Sequence, residues 1–176
     1  GGTWMTSLIG SSLTGRPMAT SAIGPRWPCC SRVWTICTLF SGDILAKITR
    51  SQTGDFTRAK GKEVMEAFLK TDKNIQVLFA HNDDMAIGAI QAIEEAGLKP
   101  GKDIVIVSID AAKGEFNAMI EGKMNCAVEH TPNFGETLME TAKKIVAGEE
   151  VPATIELEEG IFPADIAGQE LPNRTY

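Results

Sequence analysis

Three polar side chains in this sequence each come at the end of a short apolar segment. They are Asn82, Asp110 and Glu129. A carboxylate can accept hydrogen bonds from two neighbouring hydroxyls, and a side-chain amide both donates and accepts. Open α/β sheets collect their ligand groups beyond the carboxyl ends of the strands. We therefore expect these three side chains to point into one crevice, where their chemistry suits a polyhydroxylated ligand.

An aromatic residue, Phe56, follows a turn that should lie at the same edge. Its ring could stack on the apolar face of a sugar ring. Each residue also has a local interpretation: an Asp at a strand end often caps a helix, Asn82 could bond nearby backbone, and Phe56 could belong to the core. Four such residues on one predicted edge nevertheless indicate a binding site.

An enzyme site is the competing interpretation. Asp110 and Glu129 could form the paired carboxylates of a glycosidase, but nothing in the sequence marks one as neutral and the other as ionised. His81 and His130 should point away from their neighbours at the strand ends, so we predict solvated or packed histidines there. The sequence has no phosphate-binding Gly loop, no CxxC and no nucleophile elbow. We predict no catalytic residues, no cofactor and no metal.

Strand-like and helix-like segments alternate around these residues. Strands are predicted over 44–49, 75–80, 104–109, 125–128 and 154–157, and helices over 56–70, 85–96, 114–121 and 133–147. Asp83 or Asp84 should cap the second helix, Gly97 should end it, and the tail 162–176 should be irregular. This alternation predicts βαβ units with right-handed crossovers. The predicted fold class is α/β, with a parallel sheet flanked by helices.

The overall composition limits the partners. The chain has 176 residues and 43% hydrophobic content, which suffices for one ordinary domain. A net charge of −6 and a pI near 5.0 argue against nucleic acid as the main partner. No apolar run approaches the roughly 20 residues that a membrane helix needs.

Residues 1–42 differ from the rest of the chain. Their only charges are Arg16, Arg26 and Arg32, and they hold all three tryptophans and three of the four cysteines. They show neither strand alternation nor a helical stripe. We predict an aberrant, poorly ordered segment whose composition fits a shifted reading frame. A targeting segment and a disulfide or metal site at Cys29-Cys30 are the alternatives.

Several motifs in the remaining part, 43–176, carry a family resemblance. They are SQTGDFTRAKG at 51–61, AHNDDMAIGA at 80–89, VSID at 107–110 and LPNRTY at 171–176. Together they resemble the sugar-binding proteins of bacterial ABC transporters with the type I periplasmic binding fold. The likeness is to the ribose- and galactose-binding group, and most of all to its galactofuranose-binding subgroup.

The resemblance implies roles for particular residues. It implies that Phe56 stacks on a sugar ring and that Asn82, Asp110 and Glu129 bond the sugar hydroxyls. It also implies a sugar-binding arginine. The candidate is Arg26, although Gly-Pro precedes it where the family usually has an acidic residue. The family further implies a monosaccharide ligand, a membrane permease as partner, a periplasmic location and a monomeric state.

The family closes two lobes around one sugar, and the sequence matches mainly the C-terminal lobe. In the family, the segment matching 133–157 belongs to the first lobe. Its apolar stripe would therefore need another partner here, for example a second copy of the chain. Without the first lobe we expect weak sugar binding or none. The effector-binding core of a LacI-type repressor is the alternative function, because it shares the fold.

Overall fold

The computed structural model describes residues 7–13 and 46–176, and within them the chain forms one mixed sheet with helices packed against it. The strands are β1 (Ser7–Leu13), β2 (Ala46–Thr53), β3 (Val77–Ala80), β4 (Val105–Asp110), β5 (Cys126–Glu129) and β6 (Ile161–Pro163). The helices are α1 (Arg58–Thr71), α2 (Asp83–Glu95), α3 (Lys113–Ile120), α4 (Gly135–Val146) and α5 (Ala167–Glu170), and short 3-10 turns (Ala164–Ile166, Leu171–Asn173) flank α5.

The strand order is β2-β1-β3-β4-β5-β6. The three central strands β3, β4 and β5 are parallel, as predicted. The outer strands make the sheet mixed, because β1 runs antiparallel to β2 and β3, and β6 runs antiparallel to β5. Since β1 is antiparallel to both its neighbours, β2 points the same way as β3. The carboxyl ends of β2, β3, β4 and β5 therefore meet at one edge, which we call the carboxyl edge.

Close helix packing fixes the position of α1 against α2. A Cβ on Gly88 would lie 2.0 Å from the carbonyl oxygen of Arg58, and one on Gly61 would lie 2.5 Å from that of Met85. Only glycine allows the two backbones to approach this closely. The ion pair between Arg58 Nε and Asp84 Oδ1, at 2.6 Å, joins the first turns of the same helices. The helix N-termini are thereby held side by side at the carboxyl edge.

The predicted helices and most strands are confirmed to within two or three residues, but several details are wrong. The cap of α2 is Asn82, whose Oδ1 accepts from the Met85 amide at 2.9 Å, and not Asp83 or Asp84. The predicted strand 154–157 is absent, and the tail predicted as irregular contains β6 and α5. These tail elements pack on the apolar residues Phe116 and Ala127 rather than following a local pattern.

The segment 1–42 lies mostly outside the described residues. Within it, Ser7–Leu13 form β1 between β2 and β3, a regular element that the sequence pattern does not predict. Cys29, Cys30 and the other tryptophan- and cysteine-bearing positions lie outside the described residues.

Helix α4 has no buried residue. Its large apolar side chains are solvent-exposed, from 57% for Leu138 to 89% for Val146, and Phe134, just before the helix, is 46% exposed. They are followed by further exposed apolar residues at Ile155 and Leu157. Within the described part of the chain, this apolar stripe is therefore uncovered. In residues 7–13 and 46–176, no helix is long and apolar enough to cross a membrane.

Candidate functional site

An open cleft of about 370 Å³ lies beyond the carboxyl edge. Its lining comes from the ends of β4 and β5, the start of α2 and the tail. The lining residues are Asp83, Asp110, Ala112, His130, Thr131, Pro132, Phe134 and Tyr176. Crevices in this position are where open α/β sheets bind ligands. The predicted location of the site therefore coincides with a cavity in the structure.

Strained backbone presents Asp110 to the cleft. Asp110 and Ala111 both have positive φ angles, 113° and 64°, which cost free energy in residues other than glycine. The buried carboxylate of Glu115, in the first turn of α3, accepts a hydrogen bond from the Ala111 amide. That bond ties the strained turn to the helix that follows it. Asp110 is thus held at the mouth of the cleft by a local network.

Burial and neighbouring negative charges raise the pKa values of the acidic residues near this turn. Burial, and then the neighbouring charge of Asp83, raise the pKa of Asp110 from 3.8 to about 6. Burial likewise raises the pKa of Asp83, and it raises the pKa of Glu115 well above its usual range. Asp83 and Asp110 line the cleft, and acids with elevated pKa values in a cleft are typical of functional sites.

Asn82 has a structural role in this state of the chain. Its Oδ1 caps α2, and its Nδ2 lies 3.3 Å from Asp83 Oδ1. Its amide also favours the ionised form of Asp110, so the two predicted site residues are close together. The local-backbone interpretation of Asn82 is therefore correct, and it is compatible with a place beside the cleft.

Phe56 stands at the carboxyl edge, three residues after β2. Its side chain is 51% exposed, so the core interpretation is wrong. Asp55 and Phe56 both have positive φ angles, 51° and 57°. Phe56 is not among the residues that line the cleft, but it presents an open aromatic surface at the same edge of the sheet.

Glu129 faces the tail rather than the open cleft. Its Oε1 accepts from Arg174 Nη1 at 2.8 Å and from the Tyr176 hydroxyl at 3.0 Å, and its Oε2 accepts from the Gly160 amide at 2.9 Å. Burial acts to raise the pKa of Glu129, but these hydrogen bonds outweigh it and lower the pKa. The structure therefore does not bring Glu129 to the cleft with Asp110, and the glycosidase-like pair is not formed.

His130 lines the cleft and Glu129 does not, so the two neighbouring side chains point in different directions, as expected. Its Nδ1 lies 3.2 Å from Glu159 Oε1, and its side chain is 74% exposed. His81 stacks edge-on against Phe79, with ring centroids 4.8 Å apart. Across the described ranges, no group of His, Cys, Asp and Glu could hold a metal ion.

Sequence reasoning missed three residues of this site. Asp83 was predicted only as a helix cap, and His130 only as a solvated or packed histidine. Tyr176 carries no sequence signal for a site, because it reaches the cleft through contacts with residues far away in sequence, among them Glu129, 47 residues earlier. Arg26, the proposed arginine, lies outside the described residues.

Comparisons with known proteins agree on one family. Residues 40–150 match the periplasmic binding protein domain. The chain is 48% identical over 132 residues to the galactofuranose-binding protein YtfQ of Escherichia coli K12, covering 73% of this chain and 42% of that protein. A Mycobacterium smegmatis protein solved with β-D-fucofuranose is 52% identical, with a TM-score of 0.71, over 74% of this chain and 43% of that one.

A second solved structure is the binding protein of the arabinose ABC transporter of Shewanella sp. ANA-3, bound to L-arabinofuranose. It is 46% identical with a TM-score of 0.68, and the match covers 73% of this chain and 44% of that one. The chain thus spans less than half the length of the relatives that it matches.

Proposed function

Because this chain belongs to the periplasmic binding protein domain family, we propose that it is the C-terminal sugar-binding lobe of the substrate-binding component of an ABC-type monosaccharide importer. The observation that carries the proposal is the cleft at the carboxyl edge with the half-buried Asp110 at its mouth. The relatives named above bind furanose sugars, and galactofuranose is the proposed ligand class. The proposed partner is the membrane permease of the importer, and the proposed location is the periplasm.

Three side chains are the proposed sugar contacts of this lobe. Asp110 would accept hydrogen bonds from sugar hydroxyls, and the Asn82 amide, which already contacts Asp83 and Asp110, would exchange one of these bonds for a sugar hydroxyl. Phe56 would stack on the ring, an arrangement that its exposure supports. Glu129 and Arg26 stay predictions as sugar ligands: Glu129 has three partners of its own, and Arg26 lies outside the described residues.

Residues 133–157 are proposed to pack against a first lobe that residues 46–129 do not supply. The exposed apolar face of α4 supports this assignment. A sugar on this lobe alone would keep much of its hydration, because only one wall of an interlobe cleft is present. We therefore expect millimolar affinity or weaker for the isolated chain, and hinge closure of two lobes in a complete protein.

No chemical step is proposed. Glu129 is engaged by Arg174 and Tyr176, so it is not available to act with Asp110 as an acid and base pair. Incubation with nitrophenyl glycosides should release no nitrophenol. Nothing favours the LacI-type repressor core, since the relatives reported above are sugar-binding proteins of importers or carry furanose ligands.

The test is a titration of the isotope-labelled chain with galactofuranose, galactopyranose, ribose and arabinose, followed by amide NMR. Shifts at Asp110, Asn82 and Phe56 with one furanose, lost in Asp110→Ala but kept in the surface control Asp165→Asn, would support the proposal. Equal small shifts for all four sugars, or shifts remote from the carboxyl edge, would contradict it. Micromolar affinity would contradict the need for a first lobe.

Adding the separately expressed first lobe of the Escherichia coli relative tests the domain assignment. We expect it to bind this chain through α4 and to increase sugar affinity. Leu138→Glu, on the exposed face of α4, should abolish that association without unfolding the chain. If the first lobe binds Leu138→Glu equally well, α4 is not the docking element.

A further inference from the structure

We propose that Glu129, Arg174 and Tyr176 form a tail latch that positions one wall of the cleft, with the Tyr176 phenol as an additional ligand-facing group. The identity of the ligand rests on the proposed function, whereas the latch itself rests on contacts that need no ligand. Within the latch, Glu129 is the positioning residue.

The latch begins with a buried cation. The Arg174 side chain is only 11% exposed, and its guanidinium lies 4.4 Å from the ring centre of Phe162 and 5.3 Å from that of Phe116. Aromatic faces stabilise a desolvated guanidinium. Its Nε has no hydrogen-bond partner within the described part of the chain, so the bond from Nη1 to Glu129 is the charge contact that compensates its burial. The tail is thereby fixed to the end of β5.

Glu129 joins three parts of the chain. It accepts from Arg174, from Tyr176 and from the amide of Gly160, while its own amide donates to the Gly160 carbonyl at 2.8 Å. A carboxylate with three donors in place has little remaining capacity for sugar hydroxyls. Its position at the strand end therefore serves to organise the tail.

Tyr176 connects the latch to the cleft through both its main-chain oxygen and its side-chain hydroxyl. Its carbonyl accepts from the Lys113 amide at 3.0 Å, at the start of α3. Its hydroxyl donates to Glu129 and lies 3.5 Å from the Asp110 carbonyl oxygen. Asn133 Nδ2 donates to Thr175 Oγ1 at 2.9 Å. These contacts hold the phenol ring in the cleft lining, next to Asp110 and His130.

Tyr176 is the only tyrosine of the chain, which allows a direct test. Burial, and then the hydrogen bond to Glu129, raise the pKa of Tyr176 to about 12. Tyrosinate absorbance should therefore report this one phenol. We expect Glu129→Gln to lower the pKa towards the ordinary value of 10.0, because it removes the negative charge that opposes ionisation. Asp165→Asn, a surface change of the same kind, should leave the titration unchanged.

Two sugar-free measurements and one titration then decide the proposal. Hydrogen exchange at the Lys113 amide should accelerate in Tyr176→Ala. It should accelerate less in Tyr176→Phe, which retains the ring. Tyr176→Phe also replaces Glu129→Gln as the test variant if Glu129→Gln does not fold. Methyl galactofuranoside affinity should fall about two- to tenfold in Tyr176→Phe, the range expected for one lost hydrogen bond, and further in Tyr176→Ala.

The outcomes separate the two proposals. The response of the carboxyl-edge amides to sugar bears on the proposed function alone, while the tyrosine titration and the Lys113 exchange establish or reject the latch without any sugar. A phenol that titrates near 10 in the folded chain, or that does not respond to Glu129→Gln, would overturn it. Equal sugar affinity in Tyr176→Ala and the unmodified chain would also overturn it.

Discussion

Replacing Asp110 by Asn should make the chain more stable at neutral pH while weakening sugar binding. The carboxylate is partly withdrawn from water and lies near the charge of Asp83, and both factors disfavour its ionised form. Asparagine has nearly the same shape and can still accept hydrogen bonds through its carbonyl oxygen. The substitution therefore removes the charge with little change in packing.

The sign and the size of the effect follow from the pKa. Because folding raises the pKa of Asp110 from 3.8 to about 6, the protonated carboxyl favours the folded state below pH 3.8. This contribution is lost as the pH rises through 6. A difference of this size corresponds to about 3 kcal/mol at neutral pH. Because the group is partly exposed, solvent screening reduces our expectation to about 1–2 kcal/mol.

Urea unfolding of Asp110→Asn and of the unmodified chain, at pH 7 and at pH 4, would measure the effect. We expect the stabilisation by Asp110→Asn at pH 7 and only a small remainder at pH 4. Asp165→Asn, which changes an exposed carboxylate, is the matched control. Equal or lower stability of Asp110→Asn at pH 7, or a gain that does not depend on pH, would refute the explanation by burial and repulsion.

Further predictions concern packing, the strained turn and the proposed ring stacking. In thermal melts, Gly88→Ala should destabilise the fold by about 1–3 kcal/mol through overpacking, because its Cβ would meet the Arg58 carbonyl oxygen. The control is Gly135→Ala in α4, where nothing lies within 4 Å of the added Cβ. It should be neutral or stabilising. Glu115→Ala should lower the free energy of unfolding by about 1–3 kcal/mol, because it leaves the Ala111 amide without an acceptor. Glu115→Gln keeps an acceptor and should lower it less in urea unfolding. Equal losses for the two variants would contradict the role of that hydrogen bond. Phe56→Ala should change the free energy of unfolding by less than about 0.5 kcal/mol and weaken furanose binding in the NMR titration; a large loss of stability would instead indicate core packing.

The central βαβ units were predictable from sequence because their signals are local. The apolar run of β3 and the apolar face of α2 are continuous in the chain, and Gly97 ends that helix with a φ of 78°. The tail was not predictable for the opposite reason. Arg174 owes its position to Phe116 and Glu129, which lie far away in sequence. The alternation at 154–157 resembles a strand, but the described chain offers it no partner strand.

The residues of the candidate site were likewise predictable only where their position depends on local sequence. Asp110 was predicted correctly at the cleft because its place follows from strand direction alone. Glu129 was assigned to the cleft by the same rule, and the structure instead gives it three donors. Strand direction determines at which edge of the sheet a strand ends. It does not determine whether other groups of the chain already bind the side chain at that end. A binding role for a residue at a strand end therefore depends on whether the fold already satisfies its polar atoms.

Backbone strain gives an independent reason to connect Phe56 with Asp110. The non-glycine residues with positive φ in the described chain are two consecutive pairs, Asp55-Phe56 and Asp110-Ala111. Asp55-Phe56 lies between β2 and α1, and Asp110-Ala111 lies at the end of β4, before α3; both are at the carboxyl edge. Such conformations cost of order 1–3 kcal/mol each and persist where the surrounding structure imposes them, often at ligand sites. Since burial also raises the pKa of Asp110, two separate sources of instability meet at one edge of the sheet. A fold selected for stability alone would relieve both, so their coincidence at this edge agrees with the proposed sugar contacts Phe56 and Asp110.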